Sequence, residues 1–170
     1  MLWRSASSAD GGGFTLFELL LVIVFMGVLT AIALPNYLSQ ASKARQAEAK
    51  QMLGAMNRGQ QAYRFENSVF ASSIQNLNLA VTVGTANPNA YETPYFVYSV
   101  ASGAMGDEAY HLAVPQPTYR NDTKKATSAI ARTSDGRDVA ALCEADRIGT
   151  DPVLTFAFSV PSCSGGKLVY

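Results

Sequence analysis

The chain has 170 residues with 13 basic and 13 acidic side chains, so its formal net charge is zero, and 48% of it is hydrophobic. That balance excludes a globally basic nucleic-acid binder, and the length is one domain's worth of chain. One histidine, two cysteines, no metal-ligand cluster and no glycine-rich phosphate loop leave no catalytic constellation, so neither an enzyme nor a cofactor or metal site is expected.

Residues 19–34 carry no charge, and residues 14–18 extend that apolar run with a single ionisable group, Glu18. At ~1.5 Å per residue the run spans about 30 Å of helix, the thickness of a bilayer's hydrocarbon core. The prediction is one membrane-spanning helix. Thr15 can cap its start. Glu18 is the anomaly, because a carboxylate costs roughly 2.5–3.5 kcal/mol at a bilayer's centre and less near an end. Either Glu18 snorkels to the headgroups and complements the helix dipole, or it has a partner that exists only when subunits associate. Gly27 and Thr30 either let helices approach closely or reflect the ordinary composition of membrane helices.

Gly13-Phe14-Thr15-Leu16-x-Glu18, the apolar run and Ala33-Leu34-Pro35-Asn36-Tyr37 together resemble the type IV pilin signature, the class III signal peptide. Met56-Asn57-Arg58-x-Gln60-Gln61-Ala62-Tyr63 resembles the cyanobacterial branch of pilin-like proteins. The resemblance implies a leader, residues 1–13, which a prepilin peptidase removes between Gly13 and Phe14 on the cytoplasmic side. It implies N-methylation of Phe14 and pairing of Glu18 with the terminal ammonium of a neighbouring subunit. Opposite charges in an apolar bundle are tolerable together and costly apart, so such a pair sets register more than it adds stability. The implied partners are other pilin subunits in a homopolymer, the peptidase and the pilus assembly machinery. The precursor would sit in the inner membrane and the assembled subunit in a cell-surface pilus.

Two features depart from that pattern. The leader has one basic residue, Arg4, and an acid, Asp10, whereas Lys43, Arg45 and Lys50 follow the run. Counting positive charges alone would place that flank in the cytoplasm. Phe17 stands where the family more often has an aliphatic residue, and the position stays apolar.

Pro35 removes a backbone donor and disfavours helical geometry at Leu34. A kink is expected rather than a stop, because helical periodicity continues beyond it. The resemblance adds that this region unwinds locally in assembled pili. Residues 37–66 are rich in helix formers, and Leu38, Ala41, Ala49, Met52, Met56, Gly59 and Tyr63 fall on one stripe. Lys43, Gln46, Lys50, Asn57 and Arg64 fall elsewhere. Residues 15–66 would then form one rod of roughly 75–80 Å.

Residues 67–89 read as loop with a short helix capped at Ser72 or Ser73, and Asn87-Pro88-Asn89 is a turn signal. Strands are predicted over 95–100, 109–114, 126–133 and 139–143, with a break at 102–107 and a hairpin at Asp135-Gly136. Over 154–160 the even-numbered residues should face inward. Hairpin connections imply an antiparallel sheet, whose apolar face the amphipathic helix would cover. The expected class is α+β and pilin-like: a long N-terminal helix, half membrane-spanning and half amphipathic, packed on a C-terminal antiparallel sheet. The expected divisions are 1–13 leader, 14–36 transmembrane half, 37–67 amphipathic half and 68–170 globular head.

In an exported head, Cys143 and Cys163 are expected to form a disulfide, with two buried free thiols as the alternative. The bond would match the disulfide-bounded region of many pilins. His111 is expected to be a surface or satisfied strand residue. Arg120, Lys124, Lys125, Arg132 and Arg137 form a basic stretch that Asp122, Asp135 and Asp138 dilute, leaving at most weak, salt-sensitive DNA binding. Tyr91, Tyr95, Tyr98, Tyr110 and Tyr119 could make an adhesive surface, with half of them in the sheet core. Three readings compete: pilus subunit, minor pilin or type II secretion pseudopilin, and singly anchored periplasmic enzyme or sensor.

Overall fold

A computed structural model describes residues 14–79, 89–102, 106–157 and 160–169, with backbone alone at 101 and 102. The leader, the Asn87-Pro88 part of the turn signal, the centre of the 102–107 break and Phe158 lie outside the described residues. The chain divides into two compact units, Met1–Gln40 and Ala41–Tyr170.

Helix α1 is Leu16–Asn67, and Pro35 lies inside it, so the proline does not stop the helix. Its end follows from local chemistry. Ser68 takes a left-handed φ of 62°, its amide bonds to the Arg64 carbonyl at 2.7 Å, and Asn67 Nδ2 donates to the Tyr63 carbonyl at 2.9 Å. These satisfy carbonyls that a helix end otherwise leaves unpaired. A 3₁₀ turn, Ile74–Leu77, follows, and Ser73 caps it through its hydroxyl, as expected.

Among the described residues of the second unit, eight strands follow: β1 Ala90–Glu92, β2 Phe96–Ser102, β3 Glu108–Pro115, β4 Ala126–Arg132, β5 Asp138–Ala145, β6 Val153–Ala157, β7 Val160–Ser164 and β8 Gly166–Val169. They form a six-stranded sheet of order β1-β2-β3-β4-β5-β8 and a separate β6-β7 hairpin. All paired strands are antiparallel. The Asp135-Gly136 hairpin joins β4 to β5. Its Gly136 has a φ of +82°, which glycine alone adopts without strain.

The second unit is layered on the sheet. On one face, Phe96, Tyr98, Val100, Ala113 and Ala126 pack against Ala49, Leu53 and Met56 of α1. Helix and sheet thus cover each other, as their patterns require, and burying a side chain the size of Leu53 contributes about 1.5–3 kcal/mol. On the other face, Ala129, Ala141 and Cys143 pack against Leu154, with Phe156 and Leu168 at the edge. That second cover, the β6-β7 hairpin, corrects the expectation of a single sheet.

Two further corrections concern faces. The buried face of α1 is Ala49, Leu53, Met56, Asn57, Gln60 and Arg64, rotated from the expected stripe, and it includes two residues expected elsewhere. The polar members are buried because they have partners. Gln60 bonds the backbone of Ala71 twice, at 2.8 and 3.0 Å, and the Arg64 guanidinium lies 4.6 Å over the Phe70 ring and 3.3 Å from Asp107. On the last predicted strand, Leu154 is buried and Phe156 half-buried, but Val160 is 64% exposed because it opens β7 instead of continuing β6.

Candidate assembly site

Helix α1 begins with a reciprocal cap. The Thr15 amide and hydroxyl each donate to Glu18 Oε2 at 2.9 Å, and the Glu18 amide donates to Thr15 Oγ1 at 3.2 Å. This is a capping box: a Thr at the cap and a Glu three residues on satisfy amides that the helix leaves unpaired. The Glu18 carboxylate is therefore aimed at the start of the helix, at the Thr15 amide.

Every large apolar side chain from Phe14 to Leu38 is exposed within the first unit; Phe14 is 75% and Leu16 81% exposed. The first unit buries none of them. By length and composition this part of α1 is sufficient to cross a membrane. Its hydroxyls are satisfied locally: Thr30 donates to the Met26 carbonyl at 2.7 Å and Ser39 to that of Asn36 at 2.9 Å. A Cβ added to Gly27 would meet nothing within 4 Å, so that position is open to another helix.

In the second unit, Cys143 of β5 and Cys163 of β7 form a disulfide with a Cα separation of 5.8 Å. The bond ties the six-stranded sheet to the hairpin. Arg45 is held by Asp122 at 2.6 Å and by the Tyr119 and Tyr95 rings at 4.4 and 5.5 Å. The Ser42 hydroxyl bonds the Asp122 carbonyl. The segment between β3 and β4 is thereby fastened to α1.

The other sequence candidates sort by their surroundings. His111 is buried, not on the surface, and its Nδ1 contacts Ser128. Burial pulls its imidazole down to about 4. Of the five tyrosines, Tyr98 is fully buried and the others are half-buried; Tyr91 stacks on Tyr98 and Tyr95 meets Tyr119 edge-on, so these four are mutual packing partners rather than an exposed surface. Burial and a hydrogen bond to Glu108 push the Tyr110 phenol up to about 12. In the basic stretch Lys125 faces Asp151, Arg132 faces Asp138 and Arg137 faces Asp135. Among the described residues no group of His, Cys, Asp and Glu could hold a metal ion.

Residues 46–163, a span that excludes Phe14 and Glu18, match the family described as type IV pilin-like G and H. The chain belongs to the type IV pilin-like family. Members of this family are structural, non-enzymatic proteins. The pilin-like chain is 32% identical over 123 residues to the type IV major pilin protein PilA of Myxococcus xanthus, an alignment covering 69% of this chain and 53% of that protein. It thus spans about half the length of that relative. It is 29% identical over 102 residues to the type II secretion system core protein G of Vibrio cholerae, covering 59% of this chain and 70% of that protein. With the core protein G of Klebsiella pneumoniae it shares 33% over 82 residues, 48% and 59% of the two chains. The chain is therefore a pilin or pseudopilin, and these relatives do not separate the two.

Proposed function

We propose that this chain is a structural subunit of a type IV pilus, polymerising through α1. One observation carries the reading: an apolar segment, 14–38, that its own unit leaves uncovered, with a single carboxylate, Glu18, at its N-terminal end. Cleavage between Gly13 and Phe14, with N-methylation, would place a terminal ammonium beside that carboxylate. In a filament Glu18 would exchange Thr15 for the ammonium of a neighbouring copy's Phe14. The apolar segment then serves twice, as inner-membrane anchor before assembly and as helix-packing surface afterwards. Pro35 supplies a kink, and a place where α1 unwinds in the filament. The head would project outward to serve adhesion, motility or DNA uptake; its diluted basic stretch offers DNA only weak phosphate contact.

The second reading is a minor pilin or a type II secretion pseudopilin. It is favoured by the core protein G of Vibrio cholerae, 70% of which aligns with this chain. The test is processing. Mature protein should begin at Phe14 and carry one extra methyl group by mass spectrometry. Gly13→Ala should abolish both the mature-sized protein and surface filaments, and Glu18→Ala should abolish filaments alone. Persistence of filaments in either variant overturns the reading. Abundance of the subunit in sheared filaments separates the pilus subunit from the minor alternatives.

A further inference from the structure

The turn between β4 and β5 contains Asp135-Gly136, a pair prone to close on itself because glycine has no side chain to shield its amide nitrogen. The reaction needs only water. The Gly136 nitrogen attacks Asp135 Cγ, the carboxyl hydroxyl and the amide proton leave as water, and a cyclic imide forms. Water then opens the ring. Attack at Cγ restores Asp135. Attack at the main-chain carbonyl leaves the chain running through Cβ and Cγ, as isoaspartate.

Asp135 and Gly136 are both exposed, so solvent reaches them. The reacting groups are nonetheless held. The Gly136 amide donates to the Thr133 carbonyl at 2.9 Å, which fixes its plane in the turn. Asp135 Oδ2 accepts from Arg137 Nε at 2.8 Å and Nη2 at 2.5 Å. Asp135 Oδ1 accepts from the Thr133 hydroxyl, which also lies 2.9 Å from the Arg137 carbonyl and accepts from the Arg137 amide at 3.2 Å. The bond from Thr133 and then those from Arg137 hold the carboxyl below the usual carboxylate range, so little of the protonated acid that can lose water is present. A carboxylate gripped at both oxygens must also release them before Cγ can swing onto the next nitrogen. Arg132 flanks the turn, its Nη2 3.3 Å from where a Cβ on Gly136 would stand, and its own acid is Asp138 at 3.6 Å.

We propose that Thr133 and Arg137 are positioning residues that guard Asp135-Gly136, a site of spontaneous isoaspartate formation in the head. The inserted backbone carbon would fall inside the turn that Arg132 and Asp138 close as a pair of the β4–β5 ladder. It would part the Thr133 amide from the Arg137 carbonyl, now 2.8 Å apart.

The test incubates the full-length oxidised chain in water enriched in heavy oxygen, at low ionic strength, where an exposed ion pair is least screened. Each ring closure expels a carboxyl oxygen and each opening returns one from solvent, so peptide mass spectrometry counts events at Asp135, and fragmentation separates aspartate from isoaspartate. Arg137→Gln should raise the rate about two- to fivefold, the worth of an exposed pair. Thr133→Val should raise it by up to about tenfold, and Arg137→Lys should fall between wild type and Arg137→Gln. The rate falls with rising pH as the carboxyl ionises, and that fall should lie at higher pH in Arg137→Gln, a shift that mere loosening of the turn would not produce. Melting of the oxidised head reports folding. If Thr133→Val melts early, Arg137→Gln decides alone, because its side chain is 82% exposed. A wild-type rate and pH profile in Arg137→Gln overturns the proposal, and so does a guanidinium-unfolded chain that isomerises no faster than the folded one.

Discussion

His111 Nδ1 lies 3.1 Å from Ser128 Oγ, and that hydroxyl donates to Asn57 Oδ1 at 3.2 Å, so a polar chain crosses from β3 through β4 to α1. The hydroxyl proton is used on Asn57, so Nδ1 must be the donor to Ser128, and burial keeps the ring neutral near pH 7. Burial holds the folded imidazole at about 4, against 6.5 when exposed. The unfolded chain therefore binds the proton more readily. Stability is full above pH 6.5 and falls as pH drops toward 4, by up to about 3 kcal/mol. Urea midpoints of the head measured between pH 7 and 4 should decline accordingly. In His111→Gln they should be nearly flat over that window.

Reduction of Cys143–Cys163, or replacement of both by serine, should cost the head about 3 kcal/mol in the chain-entropy account for a loop of this size. Denaturant titration with and without reductant gives the difference. No change in midpoint would mean that packing around Leu154 and Leu168 suffices without the bond.

Gly166→Ala should be among the most damaging single-methyl additions in the head. A Cβ there would stand 2.3 Å from the Glu144 carbonyl oxygen and 3.0 Å from Cys143 Sγ. Backbone cannot yield as a flexible side chain can, so β8 must shift away from β5. A loss of about 1–3 kcal/mol, with faster hydrogen exchange in β8, is expected.

Gln60→Leu should destabilise although it makes the buried helix face more apolar. It leaves the buried Ala71 amide and carbonyl without their partners, at about 1–3 kcal/mol. Thermal melting of the oxidised head measures it. A stabilised variant would show that Ala71 finds other partners.

These residues also mark where sequence reading stops. The elements with a clear period, α1 and β2 to β5, were legible because alternation and helical spacing act over many residues. Strand β1 spans Ala90–Glu92, too short for a pattern, and β8 lies in a segment whose side chains alternate weakly. The α1 stripe was misplaced because Asn57, Gln60 and Arg64 look like solvent residues until Ser128, Ala71 and Phe70, far along the chain, are folded against them. Thr15 was legible as the cap of α1, whereas the return bond from its amide and hydroxyl to Glu18 shows only in the structure. Val160 was misassigned because alternation in one strand says nothing of where the chain reverses.

The cross-layer bond has one more effect. Among the described residues, strand β8 joins β5 with four residue pairs, Leu168 opposite Cys143 and Lys167 opposite Glu144 among them. Sliding that short ladder by one place would turn Lys167 toward the packed hairpin and Leu168 toward the opposite face. Cys163 lies in the strand immediately before and is already moored to β5, so little slack remains for the slip. Oxidation thus proofreads strand alignment, and a head that folds while still reduced should yield a fraction of molecules with this edge paired one step out.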